Sequence, residues 1–314
     1  MSNCLGKDPV KFKSCPYAGE FEWKSFQPAL LENNIKVDKI NKLLISGNKK
    51  ISYMNHFNKE NKLTNYCRNK NLTKIVFDKY NIPYPKYELL SNINNNNIKY
   101  LNFPLILKPI KGSRGQGMIG DIKDIKNLNE RIISINPNNY ILQEQKKGKT
   151  YRILILNNKI IYVKESLPPF IIGNNKDPIH ILIKKLNDQL KLKNKDAYVK
   201  RISYNYIREQ GYDKNSIPPY NKKIFITNVI NLGNGAQDYN YIPISNIHPV
   251  NLELFLKVSK IFKLNFCGID YITNDLTIPY YFSDGNILEV NTKPGFVRIL
   301  ENNPSSFFNA LFNK

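Results

Sequence analysis

The stretch GNILEVNTKPGF at residues 285–296 has the pattern of a strand with polar side chains at alternate positions. Successive side chains of a strand point to opposite faces, so Leu288 and Val290 share one face while Glu289 and Asn291 share the other. The apolar face is expected to pack against a core. The carboxylate and the amide on the other face must therefore meet water or a polar ligand.

A second apolar segment, FCGIDYIT at residues 266–273, precedes this strand and places Asp270 on the face opposite to its apolar neighbours. The polar residues 274–285 between them resemble a hairpin connection, so the two strands are expected to be antiparallel neighbours. If their polar faces coincide, two carboxylates and an amide oxygen converge, and such a set suits Mg²⁺. The alternative is a solvated sheet face on which Asp270, Glu289 and Asn291 meet only water.

A glycine-rich loop follows another apolar strand. The segment FPLILKPIKGSRGQGM at residues 103–118 places Lys108 at the end of the strand, just before the loop 112–117. Backbone N–H groups of such a loop can approach phosphate oxygens, and a neighbouring lysine adds a positive charge. No GK[ST] follows, so the loop is not a Walker A motif. A flexible hairpin tip without a ligand is the alternative.

The segment LQEQKKGKTYR at residues 142–152 is extended, polar and interrupted by Gly148. Extended backbone beside a turn can present its amide groups to the edge of a nucleobase, and a side chain to a ribose. An ordinary β-hairpin has the same pattern, with turns at Gly148 and at Asn157-Asn158. The segment leaves both interpretations open.

The chain is strongly basic, with 47 Lys and Arg residues against 25 Asp and Glu and a formal net charge of +22 over 314 residues. This balance attracts polyanions, among them nucleic acid, nucleotide phosphates and acidic peptides. The lysines are scattered among asparagines rather than clustered in an arginine-rich block. A generally basic surface is therefore favoured over a nucleic-acid patch.

The four cysteines form no CxxC pair, which argues against a disulfide framework and against a zinc site. No run of apolar residues approaches the 18 that a membrane span needs, and the first residues lack the apolar region of a signal peptide. We expect a reducing compartment, the cytoplasm, and no membrane partner.

Strands and helices are mixed without strict βαβ alternation, which predicts an α+β architecture. Apolar residues at helical spacing predict a helix that ends before Pro83 and Pro85, and a second helix that starts at His248-Pro249.

The order of these features resembles the ATP-grasp superfamily, and their details resemble the ATP-grasp module of cyanophycin synthetases and related glutathione-type ligases. The most specific segments are, in chain order, NKNLTK with IPYP, GKTYRILILNNKIIYV with PPFIIG, NLGNGAQ with IHP, and CGIDYI with ILEVNTKPGF. The resemblance covers residues 68–300. It implies an ATP-grasp fold, in which two α+β lobes grip ATP between antiparallel sheets.

The resemblance also implies which residues bind the nucleotide. Two lysines would hold the phosphates, the glycine-rich loop would close over them, and a hinge would meet the adenine. The matching positions are Lys70, Lys108, Ser113, Arg114, Gly115, Gly117, Glu144 and Gln145.

For the metal, the resemblance implies that Asp270, Glu289 and Asn291 bind Mg²⁺, so that the polar face of the opening stretch would meet the metal and the ATP phosphates. A further set would lie at the catalytic centre, near the phosphates, the metal and the acceptor: Arg152, Asn228 and Asn231.

Three positions depart from the pattern of the family. Thr150 stands where an acid often contacts the ribose, Ser166 where an arginine is common, and Gly173-Asn174-Asn175 where GDG is common. These changes leave the acceptor substrate more open than the nucleotide.

The activity that the resemblance implies is an ATP- and Mg²⁺-dependent carboxylate–amine ligase, which forms an amide bond through an acyl phosphate on an amino acid or an acidic peptide. A small-molecule kinase of the same fold and a non-catalytic polyanion-binding protein are the alternatives. Nucleic acid is not an expected partner, and a homo-oligomer is compatible with the resemblance.

The expected domain organisation follows the same comparison. Residues 1–66 would form an accessory segment, and residues 67–314 the ATP-grasp domain. That domain would comprise a linker helix region at 67–102, a nucleotide-gripping lobe at 103–173 and a metal and acceptor lobe at 174–314.

Overall fold

The structure is a computed structural model, and it describes residues 23–59, 61–94, 96–112, 117–193, 199, 202–227, 240–296, 299–300 and 303–313. Within these residues the chain forms two compact units. The small unit comprises residues 23–27 and 167–227, and the large unit comprises residues 28–166 and 240–313. In the described part of the chain, no helix is both long and apolar enough to cross a membrane.

The strands are β1 (Lys36–Asp38), β2 (Leu43–Ser46), β3 (Lys49–Ser52), β4 (Tyr87–Leu89), β5 (Leu105–Pro109), β6 (Ile119–Ile122), β7 (Tyr140–Glu144), β8 (Lys149–Leu156), β9 (Lys159–Ser166), β10 (Phe170–Ile172), β11 (Lys223–Phe225), β12 (Phe266–Thr273) and β13 (Asn286–Asn291). The helices are α1 (Gln27–Glu32), α2 (Lys62–Tyr66), α3 (Lys70–Tyr80), α4 (Ile125–Ile132), α5 (Ile179–Lys193), α6 (Tyr204–Glu209), α7 (Pro249–Ile261) and α8 (Pro304–Phe312).

The large unit contains three antiparallel sheets. The main sheet has the strand order β13-β12-β8-β9, the second sheet has the order β4-β7-β5-β6, and a small sheet is formed by β1-β2-β3. The expected α+β architecture is therefore confirmed, and so is the antiparallel pairing of β12 with β13.

The small unit pairs β10 with β11 in a two-stranded antiparallel sheet. Its core is built from aliphatic side chains of the sheet and of α5 and α6, with Ile171, Ile183, Ile207 and Ile224 buried among them. Two short strands alone are marginal in water, so the packing of the helices supplies the apolar burial that this unit needs.

Helix α3 begins at Lys70 because the side chain of Asn69 accepts hydrogen bonds from the N–H groups of Asn71 and Leu72 at 3.0 and 3.2 Å. It ends at Asn81, whose φ of 50° lies in the left-handed region that terminates helices. The predicted helix ahead of Pro83 is confirmed, and the predicted start of a helix at Pro249 is confirmed by α7.

The apolar face of the main sheet packs against α3 and α7. Ile153 of β8 and Ile269 of β12 are fully buried there, together with Phe77 of α3 and Phe255 and Val258 of α7. Each such side chain contributes about 1.5–3 kcal/mol by leaving water. Because this face is filled by the core, the polar side chains of the same strands project from the opposite face.

The main sheet departs from strict alternation between β12 and β13. Asp270 lies opposite Glu289, but its neighbour Tyr271 lies opposite Ile287, so Leu288 is an additional residue in a β-bulge. Ile287, rather than Leu288, therefore shares the core with Val290. A sequence pattern of period two cannot reveal an inserted residue of this kind.

The segment between β7 and β8 is not a β-hairpin, which corrects one of the two interpretations left open above. β7 belongs to the second sheet and β8 to the main sheet, so residues 145–148 connect two sheets. Gly148 has a φ of +137°, and a Cβ at this position would lie 2.7 Å from the carbonyl oxygen of Thr273. The turn at Asn157-Asn158 does form a hairpin, with φ values of 47° and 59°.

Candidate functional site

Charged side chains form a row across the four strands of the main sheet. Glu289 of β13 lies opposite Asp270 of β12, Asp270 lies opposite Arg152 of β8, and Arg152 lies opposite Lys164 of β9. Directly opposed residues of an antiparallel sheet point to the same face. The row therefore lies on the face away from the core, with the two acids at one end and the two cations at the other.

Arg152 and Asp270 form an ion pair with two contacts. The Nε atom lies 2.5 Å from Oδ1, and Nη2 donates a hydrogen bond to Oδ2 at 3.0 Å. Asn291 adds a third contact, because its Nδ2 donates to the same Oδ2 at 3.2 Å. About a fifth of each charged side chain remains exposed. The carboxylate of Asp270 is thus oriented by two neighbouring strands.

Glu289 is the second carboxylate of the row. Burial raises its pKa and the charge of Asp270 raises it further, while Lys70, Arg152 and Lys108 act in the opposite direction. Three cations therefore lie close enough to act on one carboxylate. Glu289 makes no hydrogen bond or ion pair with any other residue that the structure describes.

Lys108 lies near the end of β5 and is half-buried. Burial lowers the pKa of Lys108 to about 8, and the charge of Lys70 lowers it too, whereas Glu289 and Asp270 raise it. The two lysines are held near each other because the backbone N–H of Lys70 donates to the carbonyl of Ile110, two residues after Lys108. Neither ammonium group makes a hydrogen bond or ion pair within the described ranges.

The structure thus brings together six of the predicted site residues, which we call the charged centre: Lys70, Lys108, Arg152, Asp270, Glu289 and Asn291. Five other predicted residues lie outside the described residues: Ser113, Arg114, Gly115, Asn228 and Asn231.

Gly117 closes the glycine-rich segment and has a φ of +71°, a conformation that favours glycine. A Cβ at this position would also lie 2.9 Å from Cγ of Pro109 and 3.0 Å from the hydroxyl of Tyr140. The chain therefore requires glycine where it enters β6.

The predicted hinge residues use their side chains within the protein. Glu144 is buried, and its Oε1 accepts from the backbone N–H and from Nδ2 of Asn102 at 3.0 and 2.8 Å. Gln145 accepts from the N–H of Asp121 at 2.7 Å through its side chain, and its own N–H donates to the carbonyl of Pro104. These bonds fix the backbone of the connection between the two sheets.

Two residues of the site were not recognised from the sequence. Gly268 leaves room for Arg152, since a Cβ on Gly268 would lie 2.9 Å from Nη1 of Arg152 and 2.9 Å from Cβ of Pro294. Lys164 is the buried cation at the end of the row. For Gly268 the sequence does offer a signal, a glycine inside an apolar strand. Lys164 is revealed only by the cross-strand register, which cannot be read from the sequence.

The charged centre fits a magnesium nucleotide. Mg²⁺ takes oxygen ligands and is commonly held by one or two carboxylates together with phosphates and water. Asp270 and Glu289 supply two carboxylates, and Asn291 can add an amide oxygen. No group of three or more His, Cys, Asp or Glu residues that could by itself hold a metal ion occurs in the part of the chain that the structure describes. The lysines offer charge to phosphates.

Comparison with known proteins gives related sequences, although no family model matches the chain. The chain is 28% identical over 238 residues to a cyanophycin synthetase of Trichormus variabilis, a match that covers 72% of this chain and 26% of that protein. It is 31% identical over 204 residues to the cyanophycin synthetase of Crocosphaera subtropica, a match that covers 62% of this chain and 23% of that protein. A glutathione biosynthesis bifunctional protein GshAB of Clostridium perfringens is 25% identical over 281 residues, a match that covers 84% of this chain and 36% of that protein.

Among solved structures, a bifunctional glutathione synthetase from Pasteurella multocida superposes with a TM-score of 0.58 at 18% identity, over 92% of this chain and 44% of that one. The region matched by sequence spans only about a quarter of the length of the cyanophycin synthetases. These similarities confirm both the expected fold and the expected relatives.

Proposed function

We propose that this chain, which has the ATP-grasp fold and is related to cyanophycin synthetases and glutathione biosynthesis proteins, is an ATP- and Mg²⁺-dependent carboxylate–amine ligase. The observation that carries the proposal is the charged centre. Lys70, Lys108 and Glu289 act on one another electrostatically, yet none is paired with a described residue. Half-buried charges without partners are costly, and a metal-bound polyphosphate would complement all three.

The proposed reaction joins a carboxylate to an amine. A carboxylate is a poor acyl donor, so the γ-phosphoryl group of ATP would be transferred to it first, giving an acyl phosphate and ADP. The amine would then attack the acyl carbon and displace phosphate, which leaves an amide. In this scheme Lys70 and Lys108 offset the negative charge on the transferring phosphoryl group, which is where electrostatic stabilisation matters most.

Asp270, Glu289 and Asn291 are the residues that would hold Mg²⁺. The metal would neutralise charge on the phosphate oxygens and orient them. Arg152 keeps Asp270 in a fixed position through its two-point contact. Because the same guanidinium lies between Asp270 and Lys164 in the row, it can also face an anionic group of the substrate or the phosphate.

The remaining predicted contacts are part of the same proposal. Ser113, Arg114, Gly115 and Gly117 would cover the phosphates, and the connection at Glu144-Gln145 would meet the adenine. Asn228 and Asn231 would lie at the acceptor. The domain boundaries expected from the sequence and a cytoplasmic location belong to this proposal as well.

For the substrate we propose an amino acid or an acidic peptide. The net charge of +22 favours an anionic substrate. The relatives are named for the synthesis of cyanophycin and of glutathione.

The experiment that tests the function is phosphate release by the purified protein with Mg²⁺-ATP, across single amino acids, amino-acid pairs and short acidic peptides, with mass spectrometry of each mixture. A product heavier by one residue, formed together with phosphate, is the expected result. A phosphorylated product would instead identify a kinase. A protein that binds no Mg²⁺-ATP in calorimetry would contradict the proposal and favour a polyanion-binding role.

A further inference from the structure

Asn58 connects the ends of the two strands that carry the proposed metal ligands. Its Nδ2 donates to the carbonyl of Phe266 at 2.7 Å and to the carbonyl of Thr292 at 2.9 Å. Its Oδ1 accepts from the N–H of Phe266 at 2.9 Å. One side chain thus makes three hydrogen bonds to backbone more than 200 residues away.

These bonds begin where the pairing of the strands stops. The ladder between β12 and β13 ends at the pair Gly268 and Asn291. Phe266 of β12 and Thr292, the residue after β13, lie beyond that pair, and the amide of Asn58 bridges them in place of a backbone pair. Thr292 directly follows Asn291, so its carbonyl position constrains the backbone that carries this ligand.

The direction of Asn58 is set by the residue before it. Phe57 has a φ of 63°, in the left-handed region that non-glycine residues seldom adopt. Its buried ring lies 5.9 Å from the ring of Phe266 and 5.9 Å from that of Phe307, and its carbonyl accepts from Nδ2 of Asn265 at 3.1 Å. The aromatic packing repays the unfavourable backbone conformation, which places Asn58 at the strand ends.

We propose that Asn58 is a positioning residue for the magnesium centre, holding the ends of β12 and β13 so that Asn291 and Asp270 keep the spacing the metal requires. The inference rests on the proposed function, and it assigns a role to the segment that precedes α2. Metal ligands need their supporting hydrogen bonds, because loss of outer partners typically costs about 10–100-fold in metal affinity. Asn58 bonds to the backbone of Thr292, one residue beyond the ligand Asn291, so we expect a smaller loss of metal affinity.

The test measures metal binding apart from turnover. Mn²⁺ is titrated into the full chain with a non-hydrolysable ATP analogue, and free Mn²⁺ is followed by electron paramagnetic resonance. Asn58→Asp keeps the size of the side chain but loses both donated bonds, and Asn58→Ala removes them without adding a charge. For both variants we expect the Kd for Mn²⁺ to rise at least about threefold, below the loss typical of direct outer partners, while the Kd for the analogue without metal stays unchanged.

Asn157→Asp is the matched control. Asn157 also donates two bonds from Nδ2 to backbone carbonyls, those of Ala310 and Leu311 at 3.1 and 2.9 Å, but these lie in α8. All variants are compared below their melting transitions, so that a loss of folding is not counted as a loss of binding. Wild-type Mn²⁺ affinity in both Asn58 variants, or an equal loss in Asn157→Asp, would overturn the inference. If the wild-type protein binds the analogue but no Mn²⁺, the metal centre itself is wrong.

Discussion

Arg152 and Asp270 face each other across β8 and β12 and are joined by two contacts, Nε to Oδ1 at 2.5 Å and Nη2 to Oδ2 at 3.0 Å. They are 118 positions apart in the chain. A guanidinium in this geometry fixes the plane of the carboxylate as well as its position. The pair therefore orients an acid that is proposed to bind Mg²⁺.

Replacing Arg152 by methionine should destabilise the ligand-free protein. Asp270 would lose two contacts while remaining mostly buried, and the loss of a partner to a charged group costs about 1–3 kcal/mol. The free energy of unfolding in urea is the measurement. Lys123→Met is the control, because Lys123 is largely exposed beside Asp121 and such surface pairs contribute about 0–1 kcal/mol. Equal losses for the two variants would show that the pair of Arg152 and Asp270 contributes no more to the free energy of unfolding than an exposed surface pair.

Glu289→Gln should abolish turnover and leave the fold intact. The amide keeps the size of the side chain but cannot supply the charge that Mg²⁺ needs, so we expect a decrease of about 100-fold or more in phosphate release. The melting temperature should be equal to or above that of the wild type, because burial disfavours the ionised form of Glu289. Glu253→Gln, on the exposed side of α7, is the control. Unchanged turnover would remove Glu289 from the metal centre.

Much of the charged centre could be predicted because it depends on local rules. The alternation of side chains placed Asp270 and Glu289 on one face of neighbouring strands, and the structure pairs them directly. The hairpin-like connection between β12 and β13 correctly predicted from the sequence that the two strands are antiparallel neighbours. The segment order made the ATP-grasp fold recognisable, and the comparisons confirm it.

What could not be predicted depends on contacts between distant segments. The pairing of β8 with β12 places Arg152 beside Asp270, and no local pattern specifies that register. The bulge at Leu288 shifts the alternation by one residue. The connection at Gly148 has the composition of a hairpin turn, yet it joins two sheets, because the partner of each strand is chosen by tertiary packing.

Gly268→Ala tests whether the space beside Arg152 is required. The added Cβ would lie 2.9 Å from Nη1 of Arg152, closer than carbon and nitrogen can approach without a shift. We expect a loss of stability of about 1–3 kcal/mol, as for other overpacked sites, and a decrease in turnover as the guanidinium moves. In the double variant that combines Gly268→Ala with Arg152→Met, we expect a loss of stability smaller than the sum of the losses in the two single variants, by at least about 0.5 kcal/mol. Strict additivity would show that Gly268 acts elsewhere.

Lys108→Met should weaken nucleotide binding and change how stability depends on pH. Burial lowers the pKa of Lys108 from 10.5 to about 8. Between these values the folded protein holds fewer protons than the unfolded chain, so the stability of the wild type should increase as pH rises through this window. The variant has no such gain. Near pH 7 it should be the more stable protein without ligand, because it no longer buries a charge.

The measurement is a series of thermal melts of the ligand-free wild type and of Lys108→Met from pH 7 to the highest pH at which both stay soluble. The advantage of the variant should shrink steadily above about pH 8, the lowered pKa of Lys108. Binding of ATP to the wild type should weaken over the same range, because the ammonium that offsets the phosphate charge loses its proton. Lys111→Met, at an exposed position just beyond the strand, is the control. A difference in stability that stays constant with pH would mean that Lys108 is solvated and not part of the charged centre.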